Sequence, residues 1–238
     1  EYGIRACDVW FLGVNEFMLK ASYVMLLSRS RWLDESLGSI LNQTMSDIEI
    51  IIGDSNNIFN GNKDSRVREI NTEGMHVNDA LNLLVSAAKT DIILIHNDDD
   101  IDLPNRSQVC YDGIQDCDVF CASYRRMDIN GTVYADETIL PWDYEGFINR
   151  CLNMPLFSGA FRKSTCPKWD NNFFYLSDIK FIIEAYLRGL KIKTSPEIVA
   201  HMRYWDGQIS HACSEKDYFR NEEKKVIDKI FGINLVRI

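Results

Sequence analysis

The chain has 238 residues, 46% of them hydrophobic and 26% charged, which suits one large soluble α/β domain and excludes a disordered or low-complexity protein. Its net charge of −9 argues against a nucleic-acid or anionic-membrane surface, so an anionic ligand would need local help from a metal ion or a few placed cations. No apolar run approaches the roughly 18 to 20 residues that span a bilayer, and the N-terminus has neither a basic segment nor a signal-type apolar stretch.

Residues 1–20 alternate apolar and polar groups and read as an N-terminal arm or an extra strand. Tyr23 to Leu27 is a short apolar run that ends in Ser28-Arg29-Ser30-Arg31, and Trp32, Leu33, Leu37, Ile40 and Leu41 follow at helical spacing. Asp47 to Ile52 predicts a second buried strand that stops where Gly53, Asp54, Ser55 and Asn56 cluster. After a loop over residues 60–64, Ala80, Leu81, Leu84, Val85 and Ala88 form a helical stripe leading into the strand Asp91 to Ile95. Such a β-α-β rhythm implies a mostly parallel sheet with helices on both faces. Ligands of such sheets bind outside the carboxyl ends of the strands, here the loops after residues 27, 52 and 95.

Beyond residue 105 the pattern is mixed. Asp118 to Tyr124 and Thr132 to Tyr134 read as a hairpin around Asn130-Gly131. Asp178 to Leu187 predicts a helix stopped by Gly189, Lys191 to Lys193 an edge strand, and Glu215 to Lys229 a charged amphipathic helix with a structural role. The expected division is residues 21–105 as the half whose strand-end loops bind the ligand, 106–210 as the second half of the same domain, and 211–238 as the terminal helix.

Asn97-Asp98-Asp99-Asp100-Ile101-Asp102 follows directly on a buried strand. Carboxylates crowded at a strand end repel one another, and a hard divalent cation held by one or two of them and a substrate diphosphate would relieve the crowding. An isolated acidic run before Pro104 reads otherwise as a solvated turn; its place at a strand end favours the metal reading.

These segments resemble family-2 glycosyltransferases, inverting enzymes with the GT-A fold: a Rossmann-like, mostly parallel sheet with a smaller mixed sheet on the acceptor side. Arg29 to Thr44 resembles the family's R-x-x-Y-L-x-E-S-L-x-S-I-L-x-Q-T, and Ile50 to Ser55 its I-I-V-D-D-G-S strand end. Asp79-Ala80-Leu81-Asn82 followed by Asn97 to Asp100 resembles D-A-x-N followed by N-S-D-D. The resemblance implies a nucleotide-sugar donor, in most cases a UDP-sugar, a glycan or other hydroxyl acceptor, and Mn2+ or Mg2+.

Carried over residue by residue, the resemblance makes Asp54 the acceptor of a nucleobase hydrogen bond and Asp99, beside Asp100, the metal ligand of a D-x-D motif. Its first acid falls on Asn97, and Asp98-Asp99-Asp100 also spells a shifted copy. Ser28, Arg29, Asn82, Asn97 and Asp98 are the further donor-contacting residues. Asp178 matches the aspartate of an E-D motif, the general base on the acceptor hydroxyl, with Ser177 in place of the Glu. A carboxylate there also complements the helix dipole, and the two roles are compatible. Gly159, Trp142 and Arg203 are expected against the sugar or acceptor, the glycine because it lets substrate approach backbone closely. The chain departs from the family at Leu27, where a Tyr near the base is common, at Gly53, and at Trp205, where a His sometimes assists the metal. His201 and His211 are substitutes for that ligand, and Trp205 could stack on a sugar face.

Two rivals stand beside this reading. A sugar-phosphate nucleotidyltransferase should carry a Gly-rich basic loop after the first strand, whereas Ser28 to Arg31 has no glycine. A non-catalytic sugar-nucleotide-binding module would bind without turnover. The seven cysteines, odd in number and without a CxxC pair, point to reduced thiols in a cytoplasmic setting, the cytoplasmic face of a membrane included. A start at Glu1 is expected of a piece of a larger protein.

Overall fold

The computed structural model describes residues 18–150, 154–208 and 214–233. The expected N-terminal arm, apart from its last three residues, and His211 lie outside them.

Runs rich in Ile, Val and Leu form the centre of the sheet because β-branched side chains pack well on a pleated surface covered on both faces. β1 (Ala21–Leu27), β2 (Ile48–Asp54) and β4 (Ile92–Asn97) are almost wholly buried. β1 lies between β2 and β4 and is parallel to both; β3 (Val67–Asn71) extends the parallel sheet beyond β2. On the other side the sheet continues through β8 (Gly159–Arg162), β6 (Val119–Met127), β9 (Ile192–Arg203) and β5 (Ile101–Asp102), with β7 (Val133–Glu137) hairpinned onto β6. β6 and β9 are parallel to each other, while β8, β5 and β7 run against their neighbours. The fold is the expected mostly parallel α/β sheet with mixed strands in its second half.

Helices cover both faces. α1 (Leu33–Leu41) and α3 (Arg106–Gly113) pack on one core through Leu37, Ile40 and Cys110. α2 (Val77–Ala87), α4 (Tyr144–Arg150), α5 (Ser177–Leu187) and α6 (Ser214–Phe231) cover the other through Leu84, Phe147, Phe181, Ile182, Ile183 and Ile227.

The hairpin turn is where the sequence puts it: Gly131 has φ of 86°, and Asp128 Oδ1 accepts the Asn130 and Thr132 amides. Lys191 to Lys193 opens a longer strand than expected. β9 runs to Arg203; its first residues have β6 alone as neighbour, and Ala200 and His201 pair with β5. β3 and α3 are elements the pattern did not predict.

Candidate active site

The chain leaves β1 toward β2 on one side, and β4 returns on the other, so the crevice between the carboxyl ends of β1 and β4 is the switch point at which such sheets bind ligands. Asp98 closes the back of this crevice. Its Oδ2 accepts the Ser28 and Arg29 amides at 2.8 and 2.9 Å and the Ser28 hydroxyl at 3.0 Å. Its Oδ1 accepts Arg29 Nε at 3.1 Å and also Nη2. With 2% of the side chain exposed, this carboxylate is a staple between the two loops, a role not expected of it. Ser28 and Arg29, expected on the donor, are its partners.

Asp99 and Asp100 are also buried. Asp99 Oδ2 accepts the Trp205 indole at 2.9 Å and lies 3.3 Å from Arg29 Nη2, while its Oδ1 has no partner among the described residues. Asp100 takes the Arg203 amide at 2.8 Å and the Asn97 side-chain amide at 2.8 Å. Burial, then the Asp99 charge, pushes the Asp100 carboxyl up to about 8. Asn97 also receives the Ser36 hydroxyl on its carbonyl at 3.0 Å.

Among the described residues no group of three His, Cys, Asp or Glu side chains could hold a metal ion by itself. The donor set does fit a hard cation shared with a diphosphate: Asp99 Oδ1 is unpartnered, and Asp100 is adjacent. Trp205 supplies only a donor N–H, so it orients Asp99 and cannot ligate. No contact joins His201 to Asp99; its Nε2 is buried without a partner, and burial followed by Arg125 lowers its pKa.

Arg203, expected against the sugar or acceptor, is buried under the acidic loop. It is 1% exposed, donates to the Asp99 and Ile129 carbonyls at 2.9 and 3.1 Å, and pairs with Glu35 at 2.6 Å. Its guanidinium lies 5.1 Å over Trp32, which meets Trp205 edge to face. Beneath the cluster, Ser36 Oγ is 2.7 Å from His96 Nε2, and His96 Nδ1 is 3.0 Å from Asp102, which also binds Arg106 at 2.5 Å. This has the outline of a nucleophilic triad, but Ser36, His96 and Asp102 are at most 4% exposed and no substrate reaches them. Burial opposes ionisation of Asp102, and Arg106 with His96 outweighs it, holding the carboxyl below its usual range. The network fixes β4, β5, α1 and α3 to one another under the acidic loop.

Asp54, at the end of β2, is 1% exposed and accepts the Asn56 and Phe59 amides at 3.0 and 2.7 Å, which folds the loop after the strand. Each oxygen keeps a lone pair for a nucleobase donor. Gly53 has a packing reason: a Cβ there would lie 2.6 Å from Leu84 Cδ1 of α2.

On the opposite core, Asp178 stands in the first turn of α5 and accepts the Trp169 indole at 3.1 Å. It is solvent-accessible, and the protein packed around it raises its carboxyl. Its charge also acts on the Cys121 thiol of β6, and Cys121 pairs with Gly159. The β4–β8 register carries Gly159 level with Ile95, two residues before Asn97, so Asp178 lies on the side of the sheet where β4 ends.

Gly159, expected where substrate approaches backbone closely, also has a packing reason: a Cβ there would lie 2.0 Å from the Phe120 carbonyl. Asn82, expected on the donor, has its amide on Trp169, donating to the carbonyl at 2.8 Å and accepting the N–H at 3.0 Å, and so positions the partner of Asp178. Trp142 packs with Phe147 and Tyr186 far along α5, and no contact joins it to the acidic loop. Trp169 had no sequence signal, since its role depends on a contact with α2 and another with α5.

A doubly wound sheet with an acidic loop at its switch point defines a GT-A-type glycosyltransferase architecture. The chain belongs to glycosyl transferase family 2, whose model matches residues 26–163, more than half of its length. The match includes the acidic loop and Gly159 and ends before Asp178 and Arg203. Among solved structures, S. aureus TarS 1–349 in complex with UDP-GlcNAc is 14% identical with a TM-score of 0.62, covering 88% of this chain and 65% of that one. The corresponding values for S. aureus TarS 1–349 are 14%, 0.55, 77% and 60%, and for S. aureus TarS 12%, 0.57, 91% and 44%. This chain therefore spans less than two thirds of those proteins, and at such identities the likeness is one of fold. No curated protein sequence matches significantly. Among the described residues no helix is long and apolar enough to cross a membrane.

Proposed function

We propose that the protein transfers the sugar of a nucleoside diphosphate sugar, a UDP-sugar in the first instance, to a hydroxyl of a glycan-like acceptor by single displacement with inversion. The observation that carries this reading is Asp178: an accessible carboxylate with a raised pKa, held by the Trp169 indole in the first turn of α5, in a fold whose strand β4 leads into the loop that bears Asp99. The UDP-GlcNAc bound to one fold relative supports the donor class.

In this reading the acceptor oxygen bonds to the anomeric carbon as the bond from that carbon to the diphosphate oxygen breaks; the electron pair leaves with the diphosphate and the hydroxyl proton passes to Asp178. A raised pKa brings the base nearer to the operating pH. Asp99, with Asp100 beside it, would hold Mn2+ or Mg2+, which when bound offsets the charge of the leaving diphosphate. Asp54 receives the nucleobase. Arg29, paired with Asp98 and Asp99, lies within reach of the diphosphate.

Calorimetric titration of UDP and GDP with and without Mn2+, on the wild type and on Asp99→Ala, tests the donor half. Metal-dependent binding of one nucleotide, lost in the variant, is expected. UDP release from UDP-GlcNAc, with water as acceptor and a panel of free sugars added, tests transfer; binding without turnover across that panel would instead identify a sugar-nucleotide-binding module.

A further inference from the structure

The loop that carries Asp178 into position has a local turn at Asp170, whose side chain accepts from Asn172 and whose carbonyl accepts the Phe173 amide, and is otherwise pinned by side chains from elsewhere. Asn82 of α2 holds both backbone groups of Trp169, and Asn78 donates to the Asp170 and Phe173 carbonyls at 2.7 and 2.6 Å. The next three amides, of Phe174, Tyr175 and Leu176, all point at one carboxylate, Glu223 of α6. Phe174 N–H reaches Oε1 at 2.7 Å, Tyr175 N–H lies at 3.2 and 3.0 Å from Oε1 and Oε2, and Leu176 N–H reaches Oε2 at 2.8 Å. Leu176 is the N-cap residue of α5 and offers no side-chain cap, so α5 begins without the local device that ordinarily fixes a helix start. A carboxylate that accepts several backbone N–H groups makes strong, charge-assisted bonds, and here it fixes the chain two residues before Asp178.

Resting on the reading of Asp178 as the base, we infer that Glu223 is a positioning residue for catalysis: α6 clamps the Phe174–Leu176 amides and thereby sets where Asp178 meets the Trp169 indole and the acceptor hydroxyl. The helix is more than a lid on the core. Ile227, one turn on, anchors it in the apolar cluster that also contains Trp169, Leu176 and Phe181, so the clamp is tied to a rigid part of the fold. Glu223 spends both carboxylate oxygens on the Phe174–Leu176 amides, away from the acidic loop, so its loss should spare nucleotide binding.

The test uses the full chain with Glu223→Ala and the near-isosteric Glu223→Gln, which keeps the packing if the alanine variant does not fold. The first readout is the NMR resonance of the Trp169 indole N–H, which reports titration of the Asp178 carboxylate without any substrate. The second is the steady-state rate of UDP release from UDP-GlcNAc with water as acceptor. Expected are a shifted midpoint or weakened pH response at Trp169, faster amide exchange at 174–178, a kcat lower by about tenfold or more, and a UDP affinity within about twofold of wild type. An indole titration and amide exchange unchanged in both variants would overturn the inference. The base reading fails separately: if Asp178→Asn releases UDP at the wild-type rate, Asp178 is not the base whatever Glu223 does to the loop.

Discussion

Replacing Asp98 separates a structural staple from a donor contact. Asp98→Asn keeps an oxygen for the Ser28 and Arg29 amides but turns an amide nitrogen toward Arg29 Nε and Nη2, so the charge-assisted half of the contact is lost. Hydrogen bonds to charged groups contribute about 1.5–3 kcal/mol each. The Arg29 side chain is 31% exposed and has Asp99 3.3 Å away, so water and Asp99 recover part of this, leaving a cost of about 2 kcal/mol. Asp98→Ala also strands two backbone amides and an arginine, which raises the cost to about 4 kcal/mol. At roughly 3 °C per kcal/mol for a chain of this size, Tm should fall by about 6 °C for the asparagine variant and about 12 °C for alanine. Urea unfolding followed by circular dichroism gives the free energies directly, with an unchanged slope if the native state stays compact. If Asp98→Asn melts within about 1 °C of wild type while donor affinity falls tenfold, the carboxylate contacts the donor and the staple argument is wrong.

Asp178→Asn should lower UDP release by about a hundredfold or more while UDP binding is kept, as measured by coupled assay and calorimetry. Since burial raises the Asp178 carboxyl, wild-type rates should climb as pH passes through that raised pKa, and no such limb should remain in the asparagine variant. Between its unfolded and folded values the folded state binds more protons at Asp178 than the unfolded state, so this carboxyl favours folding at low pH and loses that contribution as pH rises; Asp178→Asn should gain stability relative to wild type above the window. Gly159→Ala drives a Cβ to within 2.0 Å of the Phe120 carbonyl and should cost about 3 kcal/mol or part β8 from β6, seen as a lower Tm and faster exchange at Cys121. Arg203→Met leaves the Asp99 and Ile129 carbonyls short of a donor and Glu35 unpaired, for a loss of about 3 kcal/mol in unfolding free energy.

The central strands were legible because Ile48 to Ile52 and Ile92 to Ile95 are runs that only a sheet covered on both faces explains. β3 was not, because Arg68, Glu69 and Asn71 sit on a half-exposed edge strand and read as loop. α3 escaped because its buried residues include Arg106 and Ser107, so it shows no apolar stripe. The same blindness hides the buried contacts that several of the expected site residues make. A sequence pattern treats an arginine as surface or ligand-binding, whereas Arg203 and Arg106 are among the largest fully buried side chains. Asp98 with Ser28 joins positions 70 residues apart, and Glu223 with Tyr175 positions 48 apart, contacts that no local periodicity encodes. The acidic loop itself was found because strand order decides where ligands bind, and strand order follows from the β-α-β rhythm.

Acid density alone turns out to be a poor argument for a metal. Asp102 is matched by Arg106, Asp98 by Arg29, and Asp100 by two amide donors; Asp102 Oδ2 has no partner but is sealed in the core, so among the described residues Asp99, which shares Arg29 with Asp98, is the acid outside that sealed network with an unpartnered oxygen. A divalent cation entering by itself would meet one free carboxylate oxygen with the Arg29 guanidinium beside it, a weak and partly repulsive site. A cation entering with a sugar nucleotide brings two diphosphate charges that cancel its own, and those oxygens complete the coordination that the protein leaves open. Mn2+ should therefore bind weakly to the free chain and at least tenfold more tightly with UDP present, and by linkage UDP should gain the same factor from Mn2+. Tight Mn2+ binding without nucleotide would mean that Arg29 and Trp205 move aside to expose a site the ligand-free arrangement does not contain.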